Sequence, residues 1–498
     1  MINETRSMGR LSQRFWGAIG GRILDSGALD AVLAVPGQRA ESAARLSEYE
    51  RRWAYYANDR LYERLHRAGY VTRDVPTEFN PVPGVVGFYK ANVLGGVMKV
   101  QPTGDAADGD ALRRAVDLVW EWSNFQTLRG AFVEAAAVFS DAFLKVAEKR
   151  NDDVTTAVYM QDISPLSVAW WEADERGFLT AIRIDTPRLT SVFSGVERRH
   201  TLVEVWRKDW GDGVGGVAWY EIAPGQMLDD TRIDNAAVFQ TFDELGYDFI
   251  PIVWARVETH WRRQTDGIDL YNLKAWTFDR MNAPRWVVNS NTLDSRGAPQ
   301  PAPRFVGAQT TGLAVQTADS EDGTATVIYM PGMSDLTAAP SPVDLTAKAA
   351  RLDRLRDNIV DALPEYRVST LRATTQIATE TLELLMAQAK QRVLDMRGDL
   401  ERALVRAQMM ALSIAQVAAV DEAIFGEGVI GTYADGRTGH VFAPRGVFEK
   451  SAAARAAELG QLTAAGASLE GAAKVAEYND AQIEELVNGT TIESFPTR

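Results

Sequence analysis

The stretch DGIDLYNLKAWTFDRMNAP, residues 266–284, decides how the chain is read: a helical pattern runs from Asp266 to Asn282 and stops at Pro284. Residues 285–344 then carry Pro299, Pro301, Pro303, Gly307, Gly312, Gly323, Pro331, Gly332, Pro340 and Pro342. That density leaves room only for short strands, expected at Arg304–Val306, Leu313–Gln316 and Thr326–Tyr329. A helix restarts at Leu345, with Ala349, Leu352, Leu355, Ile359 and Leu363 at helical spacing, and ends before Pro364. Two helices therefore flank a small β-rich excursion.

Downstream, Glu365–Thr374 reads as a polar loop. The longest helical pattern of the chain follows, with Ala378, Leu382, Leu385, Ala389, Val393, Met396, Leu400, Ala403, Ala407, Ala411, Ile414 and Ala418 stepping by three or four. About 40 residues at 1.5 Å each make a rod of roughly 60 Å. The tail from Ser451 to Val487 reads as two short helices, and residues 411–498 hold 12 acidic against 6 basic side chains, net −6.

Upstream, helices are expected at Ser42–Ala68, Val85–Val97 and Leu112–Phe143, the last with a break near Gly130. Beyond Lys145 the period changes to two. Strands are expected at Thr155–Met160, Val168–Glu172, Leu179–Ile184, Leu202–Arg207, Val217–Ile222 and Phe249–Val257, with the Gly211, Gly213, Gly215, Gly216 run as a hairpin turn. The fold class so read is α+β, mainly helical.

Composition narrows the function. The 498 residues include no cysteine, 46% hydrophobic and 24% charged side chains, and a net charge of −14. Disulfides, Cys-ligated zinc and thiolate nucleophiles are excluded. No run reaches the roughly 18 apolar residues of a membrane span, and Arg6, Arg10, Arg14 and Arg22 interrupt any signal-peptide core, so neither is expected. With 53 basic against 67 acidic side chains, a chain built to grip phosphates is not expected.

Catalytic motifs are scarce. No Gly-Lys dipeptide exists, which excludes a P-loop. His66, His200, His260 and His440 are scattered, and no metal or cofactor is implied. The nearest approach to a serine-hydrolase elbow, Gly466-Ala467-Ser468-Leu469-Glu470, lacks its last glycine. Acidic pairs Asp152–Asp153 and Glu321–Asp322 read as solvated turns; the competing reading is a metal-dependent hydrolase or nuclease whose site is assembled from dispersed carboxylates such as Asp152, Asp153 and Asp162.

The order of elements resembles the portal proteins, or head-to-tail connectors, of tailed double-stranded DNA bacteriophages. Local features agree: the proline-containing strand Ile250-Pro251-Ile252-Val253 precedes the helix beginning Asp266-Gly267-Ile268-Asp269-Leu270-Tyr271-Asn272, and Leu363-Pro364-Glu365 closes the second helix. Where many relatives have a Ser-Gly-x-Ala-Leu-like turn, this chain has Ile377-Ala378-Thr379-Glu380-Thr381-Leu382.

The resemblance implies an N-terminal arm over 1–44, an α/β wing over 45–260, stem helices at 266–284 and 345–363, and a β-rich clip at 285–344. A tunnel loop at 364–376, one very long wing helix at 377–418 and a helical crown with C-terminal tail at 419–498 would complete this portal architecture. It implies no catalysis, but a homo-oligomeric ring, usually of twelve subunits, at the portal vertex of a virion assembled in the host cytoplasm. Implied partners are the major capsid protein, the terminase large subunit, a head-tail adaptor and the double-stranded DNA that passes during packaging and ejection. No membrane is involved. Arg367, Ser369, Thr370, Arg372, Thr374, Thr375 and Gln376 would face the DNA. The alternatives are another virion head or adaptor protein, or the metal-dependent hydrolase above.

Overall fold

The computed structural model describes residues 38–103, 109–151, 154–191, 197–211, 213–223, 237–282, 285–290, 309–311, 315–319, 326–331, 337–339, 345–371, 379–426, 429–430, 438–447, 452–476, 483 and 486–487. In chain order, α1 (Gln38–Ala57), α2 (Leu61–Arg67), α3 (Val82–Asn92), β1 (Val100–Pro102), α4 (Gly109–Trp122) and α5 (Phe125–Phe139) come first. Next are β2 (Asp141–Asn151), β3 (Val154–Ile163), β4 (Val168–Ala173), β5 (Leu179–Ser191), β6 (Glu197–Arg207), β7 (Gly216–Ile222), β8 (Val238–Thr241), α6 (Phe242–Leu245) and β9 (Ile252–Arg256). Then follow α7 (Thr265–Asn282), β10 (Arg285–Ser290), β11 (Gln309–Thr311), β12 (Val315–Asp319), β13 (Thr326–Pro331) and β14 (Thr337–Ala339). The last elements are α8 (Leu345–Asp361), α9 (Pro364–Leu371), α10 (Thr379–Val417), α11 (Glu422–Phe425), β15 (His440–Phe442), α12 (Ala452–Ala464) and α13 (Leu469–Val475).

The chain divides into two compact units, one of residues 1–53, 86–259 and 377–498, the other of residues 54–85 and 260–376. The first is layered. A three-stranded antiparallel sheet, order β3-β2-β9, takes α4, α5 and α10 on its strands. Phe143, Ile163 and Ile252 from that sheet share one apolar cluster with Val168, Leu179, Ile182, Ile184, Trp206 and Val217 of the antiparallel meander β4-β5-β6-β7-β8. Each large side chain fully buried there contributes about 1.5–3 kcal/mol.

β2 is the hinge of this packing and was not expected as a strand, because Asp141-Ala142-Phe143-Leu144-Lys145-Val146-Ala147-Glu148 has no clear alternation. Ala142, Phe143 and Leu144 are all buried, since both faces of the strand are covered and nothing selects polar residues at alternate positions. On the face shared with the meander, Lys145 Nζ donates to Glu204 Oε1 and Oε2 at 2.6 and 2.5 Å, and Trp206 Nε1 donates to Glu204 Oε1 at 2.5 Å. This paired charge lets the two sheets close without leaving an isolated ion.

A set of arginines finishes α3. Arg397 of α10 donates to the carbonyls of Asn92 and Val93 at 2.8 Å each and of Arg445 at 3.0 Å. Arg129 donates to the Leu94 carbonyl at 3.1 Å and Arg445 to that of Gly95 at 3.0 Å. These guanidiniums satisfy carbonyls that a helix end leaves open.

The second unit is held by Asn272, which is fully buried on α7. Its Oδ1 accepts from the backbone N–H groups of Glu78 and Phe79 at 2.7 and 2.9 Å, and its Nδ2 lies 2.8–3.0 Å from the Phe79 carbonyl, the Ile268 carbonyl and Tyr62 Oη. Beside it, Asp269 accepts from Tyr55 Oη at 2.6 Å and Tyr62 Oη at 3.0 Å. α7 packs on α8, where Ile359 sits against Gly267. Between these helices the backbone forms a five-stranded sheet, order β11-β12-β13-β10-β14, antiparallel except for the parallel β10–β13 pair. Of the strands expected there, Arg304–Val306 lies outside the described residues.

The expectation of a mainly helical chain with phage portal architecture, organised into wing, stem, clip and crown about one very long helix, is corrected by this arrangement. The described residues are mixed α/β, with fifteen strands in four sheets among thirteen helices. The 39-residue α10 does exist, but it buries Ala389, Val393, Met396, Leu400, Leu404, Ala407, Ala411 and Ile414 within the first unit, where it lies on β2, β3 and β9. Its apolar stripe is a sheet-covering face. The helix expected over Ser42–Ala68 is also interrupted, by Asn58 and Arg60 at φ +50° and +49°, and the break expected near Gly130 falls at Asn124, φ +48°. Asparagine enters the left-handed region at little cost and ends helices there.

Replacing Asn272 by Ala leaves the buried Phe79 N–H and carbonyl, and the part-buried Glu78 N–H, without their partner. Denaturant unfolding is expected to show a loss of about 3 kcal/mol; a loss below about 1 kcal/mol would mean that the carboxamide is not the clamp.

Candidate functional site

The DNA-facing residues expected in a loop begin on a helix. Pro364 opens α9 at its first position, where its missing N–H costs nothing and its fixed φ suits the helix. Glu365 lies fully buried in the first turn, where a carboxylate is favoured by the helix dipole. The Tyr366 ring packs edge-on against Phe79, centroids 5.9 Å apart, and comes so close to Gly84 that a Cβ there would lie 3.1 Å from the ring. Glycine at 84 makes room for that ring. The loop reading of 364–376 is thereby corrected for its first eight residues: Pro364 starts a helix here as well as ending α8.

Three of the seven expected residues fall on one turn of α9. Arg367 donates to Asp361 Oδ1 at 2.7 Å. Ser369 Oγ donates to the Tyr366 carbonyl at 2.7 Å, and Thr370 Oγ1 lies 3.1 and 3.0 Å from the carbonyls of Tyr366 and Arg367. Ser369 and Thr370 are exposed and Arg367 is half-buried. Arg372, Thr374, Thr375 and Gln376 lie outside the described residues. Chemically this turn is quiet: its guanidinium already faces a carboxylate and its hydroxyl protons are committed to the backbone, so it offers lone pairs and weak contacts.

Elsewhere, the residues considered for chemistry are scattered. Asp162 sits in β3, paired with Leu144, and burial raises its carboxyl above the usual range. Asp152, Asp153, Glu321 and Asp322 lie outside the described residues. Ser468 Oγ accepts the Gly471 N–H at 3.1 Å ahead of α13, the position of a helix cap. The glycine run is the β6–β7 connection, with Gly211 and Gly213 at φ +125° and +77°. His200 Nε2 lies 3.2 Å from Glu221 Oε1. Among the described residues no three of His, Asp and Glu gather as metal ligands would.

One polar cluster was not anticipated. His440 is buried in β15, with Nδ1 2.9 Å from the Thr438 carbonyl and Nε2 2.6 Å from the side-chain amide of the fully buried Gln408 on α10. Burial holds its pKa below the ordinary 6.5. The ring stands between two oxygen acceptors, the Thr438 carbonyl at Nδ1 and Gln408 Oε1 at Nε2, and in its neutral form carries one N–H to donate to them. The signal in the sequence was Gln408, a polar residue on the apolar face of a helix.

No family model matches the chain, and a search of curated proteins found none similar to it.

The His440 arrangement sets a pH dependence. A histidine whose folded pKa is depressed leaves stability untouched above about 6.5, and takes it away as pH falls below that value, because the unfolded chain binds the proton first. Unfolding midpoints measured from pH 8 to pH 5 are therefore expected to fall below about 6.5, and the slope of that fall is expected to be shallower in His440→Gln; equal slopes would remove His440 as its source.

Proposed function

We propose that the chain is a structural, ring-forming subunit that encloses passing double-stranded DNA, the role of a portal protein at one capsid vertex. The observation that carries this reading is α8. This 17-residue helix is exposed along most of its described length, and Ile359 is its one fully buried side chain among the described residues. Leu352 and Leu355 are only half covered. Helices in proteins draw most of their stability from a packed face, so a face left this open is suited to packing against something beyond the chain.

In this reading the subunit does no chemistry and needs no cofactor; a separate ATPase, the terminase, moves the DNA. A ring of twelve copies would sit in the capsid of a virion, held by the major capsid protein, and would later receive a head-tail adaptor. The α9 turn suits the passing duplex because Arg367, Ser369 and Thr370 have their strongest bonding capacity already used. Arg372, Thr374, Thr375 and Gln376 would continue that surface. Weak contacts suit a duplex that must slide, since phosphate affinity rises with each free Lys or Arg in reach.

Negative-stain microscopy of the purified full chain is expected to show closed rings with a central opening in top view. A monodisperse monomer at every concentration and salt level tried would overturn the reading.

A further inference from the structure

The outward surface of α8 carries its charges in two separate stripes. At about 100° per residue, Asp353, Asp357 and Asp361 fall on one line along the helix, and Arg351, Arg354 and Asn358 on another about 90° further round. Leu352, Leu355 and Ile359 occupy the side toward α7. Arg351, Asp353, Arg354 and Asp357 are all exposed.

Two features make this pattern unusual for a helix that ends its contacts within one chain. First, among the described residues none of these four side chains has an ion-pair partner, although Arg354 and Asp357 stand three residues apart, and the Arg354 Nε–H is committed to the Ala350 carbonyl at 3.2 Å. Second, Asp353 and Asp357 are like charges four residues apart, a spacing that destabilises an isolated helix unless a cation comes from elsewhere. Asp361 alone has one, Arg367 of α9 at 2.7 Å. The same unit exposes an apolar pair, Leu270 and Leu273 of α7, 42% and 38% accessible.

We infer that α8 docks a second copy of this chain head to tail, the Asp353/Asp357 stripe of one copy meeting the Arg351/Arg354 stripe of the next. The inference rests on the ring reading above and names the contact that would close the ring. One helix face carrying both signs on two flanks is complementary to the same face of another copy, and where that contact is heterologous it closes into a ring when the rotation between successive copies divides the circle. Charges on the rim set register and partner choice, while apolar side chains such as Leu270 and Leu273 supply area that loses water. The occupant is a copy of the chain because both halves of the complementary pair are on this one helix.

Charge reversal tests it in the full chain. Asp353→Arg with Asp357→Arg is expected to raise the concentration needed for half-assembly by at least about tenfold in sedimentation or native mass spectrometry, and Arg351→Asp with Arg354→Asp likewise. Each variant, checked by circular dichroism to be folded, is expected to recover assembly when mixed one to one with the other. The chain carrying all four substitutions is expected to assemble alone, since its stripes are exchanged but still complementary. If the unaltered chain forms rings and the reversals leave assembly unchanged, or if the folded four-substitution chain fails to assemble, the inference is overturned and the ring reading stands. If the unaltered chain forms no ring, the ring reading itself fails.

Discussion

The second unit depends on one buried carboxamide. Two stretches of chain far apart in sequence, 54–85 and 260–376, have to be joined, and Asn272 does so by presenting an acceptor and donors to an irregular segment that has no ladder of its own. Once Glu78 and Phe79 are fixed to it, Phe79 is placed against Tyr271 at 5.5 Å and against Tyr366 at 5.9 Å, with the Arg356 guanidinium 5.4 Å above its ring. α9 is seated through Tyr366, and α8 through Arg356 and Ile359. The polar turn proposed to meet DNA is therefore positioned through a hydrogen-bond network that begins at Asn272 of α7.

The first unit solves the same problem by charge. Lys145, Glu204 and Trp206 meet between two sheets, and Arg397 and Arg445 reach from α10 and the segment after β15 to the end of α3. Buried polar groups of this kind rarely add much net stability, but each is costly to leave half made. Their effect is to specify one register between elements that apolar contact alone would let slide. α10, with its alanine-rich face on β2, β3 and β9, is a clear case: small side chains allow close approach, and Arg397 and Gln408 fix where along the helix that approach happens.

Much of this was legible where a pattern repeats. The stripes of α7, α8 and α10 gave those helices nearly to their ends, because a period of 3.6 is a direct imprint of one covered face; the alternation gave β7 in the same way, but only about half of β5 and β6, which run on to Ser191 and start at Glu197. β2 was missed because both its faces are covered, which erases the alternation. The helix break at Asn58 was missed, and the one at Asn124 was placed near Gly130, because asparagine's tolerance of left-handed backbone is a possibility at every Asn and a fact at few. Pro364 was read as a stop when it is also a start. Of the site residues, the polar character of Arg367, Ser369 and Thr370 was visible, but their use in bonds to Asp361 and the backbone is set by the three-dimensional turn. Asn272 and Gln408 did leave a trace, each being polar in an apolar stripe, and such residues are where buried networks begin.

An exposed, charge-striped α8 in a unit otherwise closed by Asn272 is the centre of the account, and amide hydrogen exchange reads both features in one experiment. In the dissociated chain at low concentration, residues 346–358 of α8 are predicted to exchange quickly while the Glu78 and Phe79 amides stay protected. On assembly the α8 amides are predicted to slow by at least about tenfold with little change at Glu78 and Phe79. α8 amides equally slow in both states would contradict the claim that this helix is completed by another copy.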